Sequence, residues 1–281
     1  MRRSFFLVLL LCTNFCHAGR LGNLYKALPP PDVSINKAYF RSYWSDTKQS
    51  VLAPFHWDGK HWIAAAAITG TAAVIYTQDL AIHDLFQKNR TATTSNITKY
   101  GLEPWGSGVY SLPLMGLLYL NGMISQNDRS KKVALLGVKA FVVQSIVVQI
   151  PKYALQRHRP YQNNPADPGI WAGPLGGITH FTSFPSGHTT TAFAVATVLA
   201  TEYKDKPIVP ILAYTVATFT GLSRIHDNRH WASDVFMGAA LGYSIGKLIC
   251  NRNNWGVSVS VSPASKAMGM QIRIPIGNSK S

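Results

Sequence analysis

Six apolar runs punctuate the chain, at about residues 62–77, 108–124, 133–150, 190–203, 208–222 and 235–250. Each is 14 to 18 residues long and rich in Ala, Val, Leu and Ile, too long for ordinary strands. The pattern predicts six helices. A polar connection, Gln78 to Ser107, separates the first two. A loop dense in Gly, Pro and Asn, Tyr161 to Ser183, lies between the third and fourth. A loop that long inside a compact domain more often carries function than serves as a tether. Residues 19–59 hold Pro29-Pro30-Pro31 and no sustained period, which predicts an extended arm or a few short helical turns. After residue 250 the period changes to two. Trp255-Gly-Val-Ser-Val-Ser-Val-Ser alternates strictly and Met268-Gly-Met-Gln-Ile-Arg-Ile-Pro-Ile nearly so, which predicts two short strands joined through Pro263-Ala-Ser-Lys. The expected fold is all-α: a six-helix up-and-down bundle core at 60–250, with a short C-terminal β-hairpin in the segment 251–281.

Residues 1–18 read as a secretory signal peptide. Arg2-Arg3 form its charged start, Phe5 to Leu11 its apolar stretch, and Cys16-His17-Ala18 a cleavage site ending in a small residue. Cys12 and Cys16 fall inside that segment, so a processed chain keeps Cys250 alone and no internal disulfide.

Composition narrows the class. Hydrophobic residues make up 47% of the chain and charged ones 14%, the balance of a membrane-embedded protein or of a soluble one with fully buried helices. The formal net charge of +15 favours anionic partners: phosphate esters or an anionic membrane surface. Nucleic acid is not among them, because there is no dense Lys/Arg tract and no binding motif.

Charge is sparse, yet it gathers in three places. These are Lys152-Tyr-Ala-Leu-Gln-Arg-His-Arg159-Pro160, then Pro185-Ser186-Gly187-His188, then Ser223-Arg224-x5-His230-x3-Asp234. The first follows the third predicted helix and the second precedes the fourth. The last spans the junction of the fifth and sixth. In an up-and-down bundle all three share one end. Lys152, Arg159 and Arg224 supply cations whose geometry suits a tetrahedral oxyanion. Ser186 and Gly187 open a helix, where free N–H groups and the dipole favour an anion. His230 and Asp234 are spaced to touch on one helical turn, and a carboxylate so placed fixes an imidazole's tautomer. His188 is a second imidazole available as an acid.

These residues resemble the type-2 phosphatidic acid phosphatase superfamily, which also takes in class A acid phosphatases and vanadium haloperoxidases. Its signature, Lys-x6-Arg-Pro, Pro-Ser-Gly-His and Ser-Arg-x5-His-x3-Asp, is matched at every fixed position over roughly residues 60–250. The resemblance implies a helical phosphoric monoester hydrolase that uses no metal and no cofactor. His230 attacks phosphorus to give a phosphohistidine, oriented by Asp234. His188 protonates the leaving oxygen and then activates water. Lys152, Arg159, Ser186, Gly187 and Arg224 hold the phosphoryl oxygens.

The substrate expected is a lipid phosphate or pyrophosphate, met at a membrane surface. Other readings are a soluble periplasmic non-specific acid phosphatase, a vanadate-dependent haloperoxidase, and a non-catalytic anionic-lipid-binding envelope protein. Arg129-Ser-Lys-Lys132, Lys204-Asp-Lys206 and Arg252 lie opposite the motifs, so the positive-inside tendency puts the site on the extracytoplasmic face of a cell membrane. A cleaved leader followed by three spans puts it on the other face. Runs shorter than the roughly 20 residues of a full span leave room for a peripheral, exported enzyme of the periplasm.

Overall fold

The structure, a computed structural model, describes residues 34–174, 182–254, 258–264 and 267–273. The expected leader at 1–18 lies outside the described residues. The described chain is mainly helical. Its longer helices are α1 Lys37–Leu52, α2 Gly59–Tyr76, α3 Asp79–Lys88, α4 Ser111–Ile124, α5 Asp128–Val147, α6 Gln149–Leu155, α7 Gly187–Glu202, α8 Ile208–His226 and α9 Ala232–Asn254. Three short helical segments, Ala92–Asn96, Ile97–Leu102 and Glu103–Ser107, lead into α4. Beyond α9, Ser258–Ala264 and Ala267–Arg273 pair antiparallel, with Ser258 opposite Arg273.

The core is built where α5, α7 and α9 meet. Val133, Leu136, Ala140, Val143 and Val147 recur at three- and four-residue steps along α5 and pack on Ala194 and Val198 of α7 and Ile245 and Ile249 of α9. The closest approach is between α7 and α9. Gly238, Gly242 and Gly246 stand one turn apart on α9. A Cβ at Gly238 would lie 2.7 Å from the Ser186 carbonyl oxygen, and one at Gly246 2.7 Å from Thr197 Cβ. Small residues four apart let two backbones meet, so α9 lies directly against the N-terminal turns of α7.

Two helices arise where no apolar run marked them. The arm, expected to be extended or to hold a few short helical turns, contains α1, sixteen residues long and capped by the Asn36 side chain on the Tyr39 N–H. Its inward residues are Tyr39, Asp46 and Thr47, so the stripe is partly polar. Lys139, an interruption in the third run, is fully buried with its Nζ 3.2 Å from Asp46 Oδ2, while Arg252 Nε donates to Asp46 Oδ1 at 2.7 Å. The polar connection after α2 likewise folds into α3 and the short helices.

The exterior is strongly apolar. On α2 only Ala72 is buried, leaving Trp62, Ile63 and Val74 exposed. Leu117, Leu120 and Ile124 make an outward stripe on α4, as do Ile208, Ile211, Leu212 and Phe219 on α8. Two segments, Asp128–Leu155 and Ile208–His226, are long and apolar enough to cross a membrane. At the junction of α5 and α6, Pro151 lacks the N–H that would reach the Val147 carbonyl, and the helix breaks there before Lys152.

Candidate active site

The three charged clusters converge on a dipeptide, Thr182-Ser183. Lys152 Nζ donates to the Thr182 carbonyl at 2.5 Å, and an Arg159 Nη donates to Thr182 Oγ1 at 3.1 Å. His230 Nδ1 is 2.7 Å from the Ser183 carbonyl, and Ser183 Oγ donates to Asp234 Oδ2 at 2.5 Å. The Ser183 N–H in turn donates to the Arg157 carbonyl at 3.0 Å. The second cluster closes the ring, because Ser186 N–H donates to the Asp234 carbonyl at 3.0 Å and Gly187 faces Lys152 Cε. Arg224 is bound in through its own carbonyl, which accepts from the N–H groups of Arg229 and His230 at 2.9 and 3.3 Å.

The geometry fixes the state of His230. A carbonyl oxygen can only accept, so Nδ1 carries the proton and Nε2 holds a lone pair. Asp234 Oδ2 stands at 3.8 Å from Nδ1, within ion-pair range, but its oxygens are engaged by Arg157, by Ser183 and by the Trp231 N–H at 3.0 Å. The carboxylate therefore holds the turn that carries His230, and the Ser183 carbonyl holds the ring. Complete burial, reinforced by the charges of Lys152 and Arg159 and opposed by Asp234, pushes His230 down to about 3. The imidazole is neutral at neutral pH, as a nucleophile must be.

Two of the residues expected to bind an anion, Arg159 and Ser186, keep a donor without an acceptor. Arg159 Nε is buried without a hydrogen-bond partner, a donor lacking an acceptor. Ser186 Oγ is fully buried and accepts from Thr189 Oγ1 at 2.8 Å, which leaves its own proton for another acceptor. The N-terminus of α7 adds N–H groups that no intrahelical carbonyl can satisfy. Arg224 is mostly buried, with its guanidinium on Asp227 at 2.5 Å.

Residues outside the signature also join this network. Glu103, on the short helix before α4, lies with Oε1 2.8 Å from His188 Nε2, both side chains about one-third exposed. Gly106 admits this contact, since a Cβ there would stand 2.6 Å from His188 Cβ. Arg157, fully buried, bridges Asp79 Oδ2 at 2.8 Å and Asp234 Oδ1 at 2.6 Å, donates to Ser233 Oγ, and lies against the rings of Tyr76, Trp171 and Trp231. Asp79 also accepts from the Ser233 N–H and hydroxyl, tying α3 to the first turn of α9. Among the described residues no group of His, Cys, Asp and Glu has a metal-holding arrangement.

The model of the PAP2 superfamily matches residues 133–256, which takes in all three clusters. The lipid A 1-phosphatase of Porphyromonas gingivalis is 39% identical over 141 residues, 49% of this chain and 28% of that protein. The chain thus aligns with under a third of that relative's length. The decaprenylphosphoryl-5-phosphoribose phosphatase of Mycobacterium tuberculosis is 31% identical over 152 residues, 54% of this chain and 77% of that protein. Among solved structures, the first transmembrane PAP2 type phosphatidylglycerolphosphate phosphatase from Bacillus subtilis aligns with a TM-score of 0.49 at 21% identity, over 77% of this chain and 94% of that one.

Proposed function

The chain belongs to the PAP2 superfamily, and on that premise we propose that it is a phosphatase of lipid phosphate esters or pyrophosphates working through a phosphohistidine on His230. The observation that carries the reading is the Nδ1 contact of His230 with the Ser183 carbonyl, which leaves a neutral ring with Nε2 as the nucleophile. Nε2 forms the bond to phosphorus as the bond from phosphorus to the leaving oxygen breaks. Lys152, Arg159 and Arg224, with the Ser186 hydroxyl and the N–H groups at Gly187, take the charge on the non-bridging oxygens. His188 donates Nε2–H to Glu103, so its Nδ1 is the nitrogen that moves the proton. With the ring doubly protonated, Nδ1–H gives its proton to the leaving oxygen, and Nε2–H stays hydrogen-bonded to Glu103. Nδ1 then takes one from a water whose oxygen attacks phosphorus and frees His230.

The surface supports a membrane setting. Apolar stripes on α2, α4 and α8 face outward, a pattern that water does not tolerate over so many side chains. At the end opposite the site, Arg129 pairs with Asp205 and Lys132 with Glu202 at 3.0 Å, and Arg129 and Lys206 both lie over the Tyr203 ring, so basic residues of both segments gather there. With that end inside, the site faces the extracytoplasmic side. The deciding experiment uses detergent-purified protein with phosphatidate and a soluble aryl phosphate, with rapid quench in base to trap phosphohistidine. Wild type is expected to favour the lipid and to show the trapped intermediate. His230→Ala is expected to lose at least ~10³-fold in kcat. Full activity in that variant sinks the assignment.

A further inference from the structure

The polar connection Gln78 to Ser107 enters the proposed chemistry only through Glu103, yet it grips the turn between α8 and His230 residue by residue. Gln87 Nε2, on α3, donates to the Ile225 carbonyl at 3.0 Å. His226 Nε2 stands 2.8 Å from Thr94 Oγ1, and Thr98 Oγ1 2.7 Å from Asp227 Oδ1. His83 holds the fourth residue, with Nε2 2.9 Å from Asn228 Oδ1 and Nδ1 2.9 Å from Asp84. Residues 225–228 are thus all tied to this connection. Arg224 stands directly before them and His230 two positions after.

Within that turn the place of Asp227 calls for a reason. It caps the C-terminus of α8, where the helix dipole disfavours a carboxylate. Its Oδ2 accepts from Arg224 Nη2 at 2.5 Å, while Oδ1 faces Thr98 and, at 3.2 Å, His226 Nδ1. The Thr98 hydroxyl also has the Ser95 carbonyl within reach at 2.9 Å, but the carboxylate is the stronger acceptor. Arg229, the other cation of the turn, lies over the Tyr161 ring at 5.1 Å. Arg224 Nε donates to Ser223 Oγ at 3.2 Å. Two of the three guanidinium nitrogens are therefore held. Among the described residues Nη1 has no hydrogen-bond partner, so it is the donor left for a phosphoryl oxygen. A guanidinium fixed in this way meets developing charge without first giving up rotamer freedom.

The same stretch reaches His188. Thr98 and Glu103 are five residues apart along the turn Ile97–Leu102, and Glu103 Oε1 is 2.8 Å from His188 Nε2. Between them the Leu102 carbonyl accepts from Thr220 Oγ1, one turn before Arg224 on α8, at 3.2 Å. We propose that Asp227, set by Thr98, is the positioning residue of Arg224. One short stretch, Thr98 to Glu103, then fixes both the arginine that takes phosphoryl charge and the histidine that moves the proton. The inference rests on the phosphatase reading and deepens it.

The test measures kcat, KM and melting temperature on phosphatidate for three variants. Thr98→Val keeps the shape and loses the hydroxyl, and is expected to lower kcat about 10-fold, the scale of one hydrogen bond to a charged group. Thr98→Ser should stay within about 2-fold of wild type. Asp227→Asn removes a negative charge beside the phosphate site, which by itself favours anion binding. Its kcat should fall about 10²-fold with KM not raised, a split that mere loosening of the fold does not produce. Added guanidinium, at a non-denaturing concentration, should restore part of the activity lost in Arg224→Ala and none in Arg224→Ala/Asp227→Asn, which lacks its seat. A Thr98→Val loss that serine shares, an Asp227→Asn effect on KM alone, unchanged activity in both, or equal rescue of the two Arg224→Ala proteins overturns the assignment. Should Asp227→Asn not fold, the Thr98→Val and Thr98→Ser pair decides. Should wild type hydrolyse no phosphate ester, the phosphatase reading fails, and titration with inorganic phosphate decides the positioning. A Kd raised about 3-fold or more by Thr98→Val and restored by Thr98→Ser supports it; an unchanged Kd, or one that serine does not restore, overturns it.

Discussion

Removing Arg157 isolates the contribution of the buried ion network from that of the reacting groups. Its guanidinium has no exposed surface and donates to five acceptor contacts: Asp79 Oδ2, Asp234 Oδ1, Ser233 Oγ and, twice, the Pro168 carbonyl. Arg157→Met keeps most of the apolar volume between Tyr76, Trp171 and Trp231 but leaves two carboxylates buried without their cation. Breaking a buried pair in this way costs about 3–5 kcal/mol. Asp79 offers partial relief. Burial already holds its carboxyl above the ordinary range, against the pull of Ser233 and Arg157, so without the guanidinium it takes up a proton more readily. The deficit of Arg157→Met should therefore shrink as pH falls from 8 to 5. Asp79→Asn makes the same relief permanent, since an amide keeps an acceptor for the Ser233 N–H. The double variant Arg157→Met/Asp79→Asn should be more stable than the sum of the singles by about 1–3 kcal/mol. Unfolding of the four proteins in one detergent, followed by far-ultraviolet dichroism, gives the cycle. Additivity within ~0.5 kcal/mol, or a deficit that does not respond to pH, refutes the idea that Arg157 acts as the counter-ion of Asp79.

Other outcomes follow from the same geometry. Glu103→Gln is expected to lower kcat about 10-fold or more with KM little changed, because it alters the partner of His188 and not the phosphate cage; a KM effect alone would contradict this. Gly106→Ala pushes a Cβ into His188 and should reduce kcat at least as much, with melting temperature the control for misfolding. For pH, the folded His230 stays neutral down to about 3, whereas the unfolded imidazole protonates near 6.5. Between those values the unfolded state binds the extra proton. This contribution is complete above pH 6.5 and is lost as pH falls, at up to ~1.4 kcal/mol per unit. His230→Gln should flatten that part of the stability profile, and an unchanged slope would show that other groups set it.

What could be read from residues alone was the part written in side-chain type and spacing. Each of the six apolar runs falls within or across a helix, and helix order alone brought Lys152, His188 and Asp234 to the same end. Arg157 was visible but indistinct: it is two positions from Arg159 and of the same chemistry, and only burial separates a structural guanidinium from one that faces the phosphate site. Glu103 sat in a polar stretch whose helices are too short to show a period. Helix α1 was missed because its inward face includes Asp46, so a search for apolar recurrence passes over it. Lys139, which interrupts the third apolar run, and Arg252, read as one of the basic residues opposite the motifs, are the partners that Asp46 requires. Gln144 is another such apparent defect, and its amide donates to Thr191 Oγ1 at 2.6 Å in the core.

Thr182-Ser183 has a further consequence for how this site is probed. Lys152 and His230 each reach it through a carbonyl oxygen, a group that every amino acid carries. An alanine scan therefore removes two hydroxyl contacts and leaves both carbonyl contacts standing, so it would report the dipeptide as a minor contributor. Side-chain replacement is the wrong instrument for such a joint. Exchanging the amide that follows Ser183 for an ester weakens its carbonyl as an acceptor and alters no side chain. In that chimera the loss should fall on His230 first.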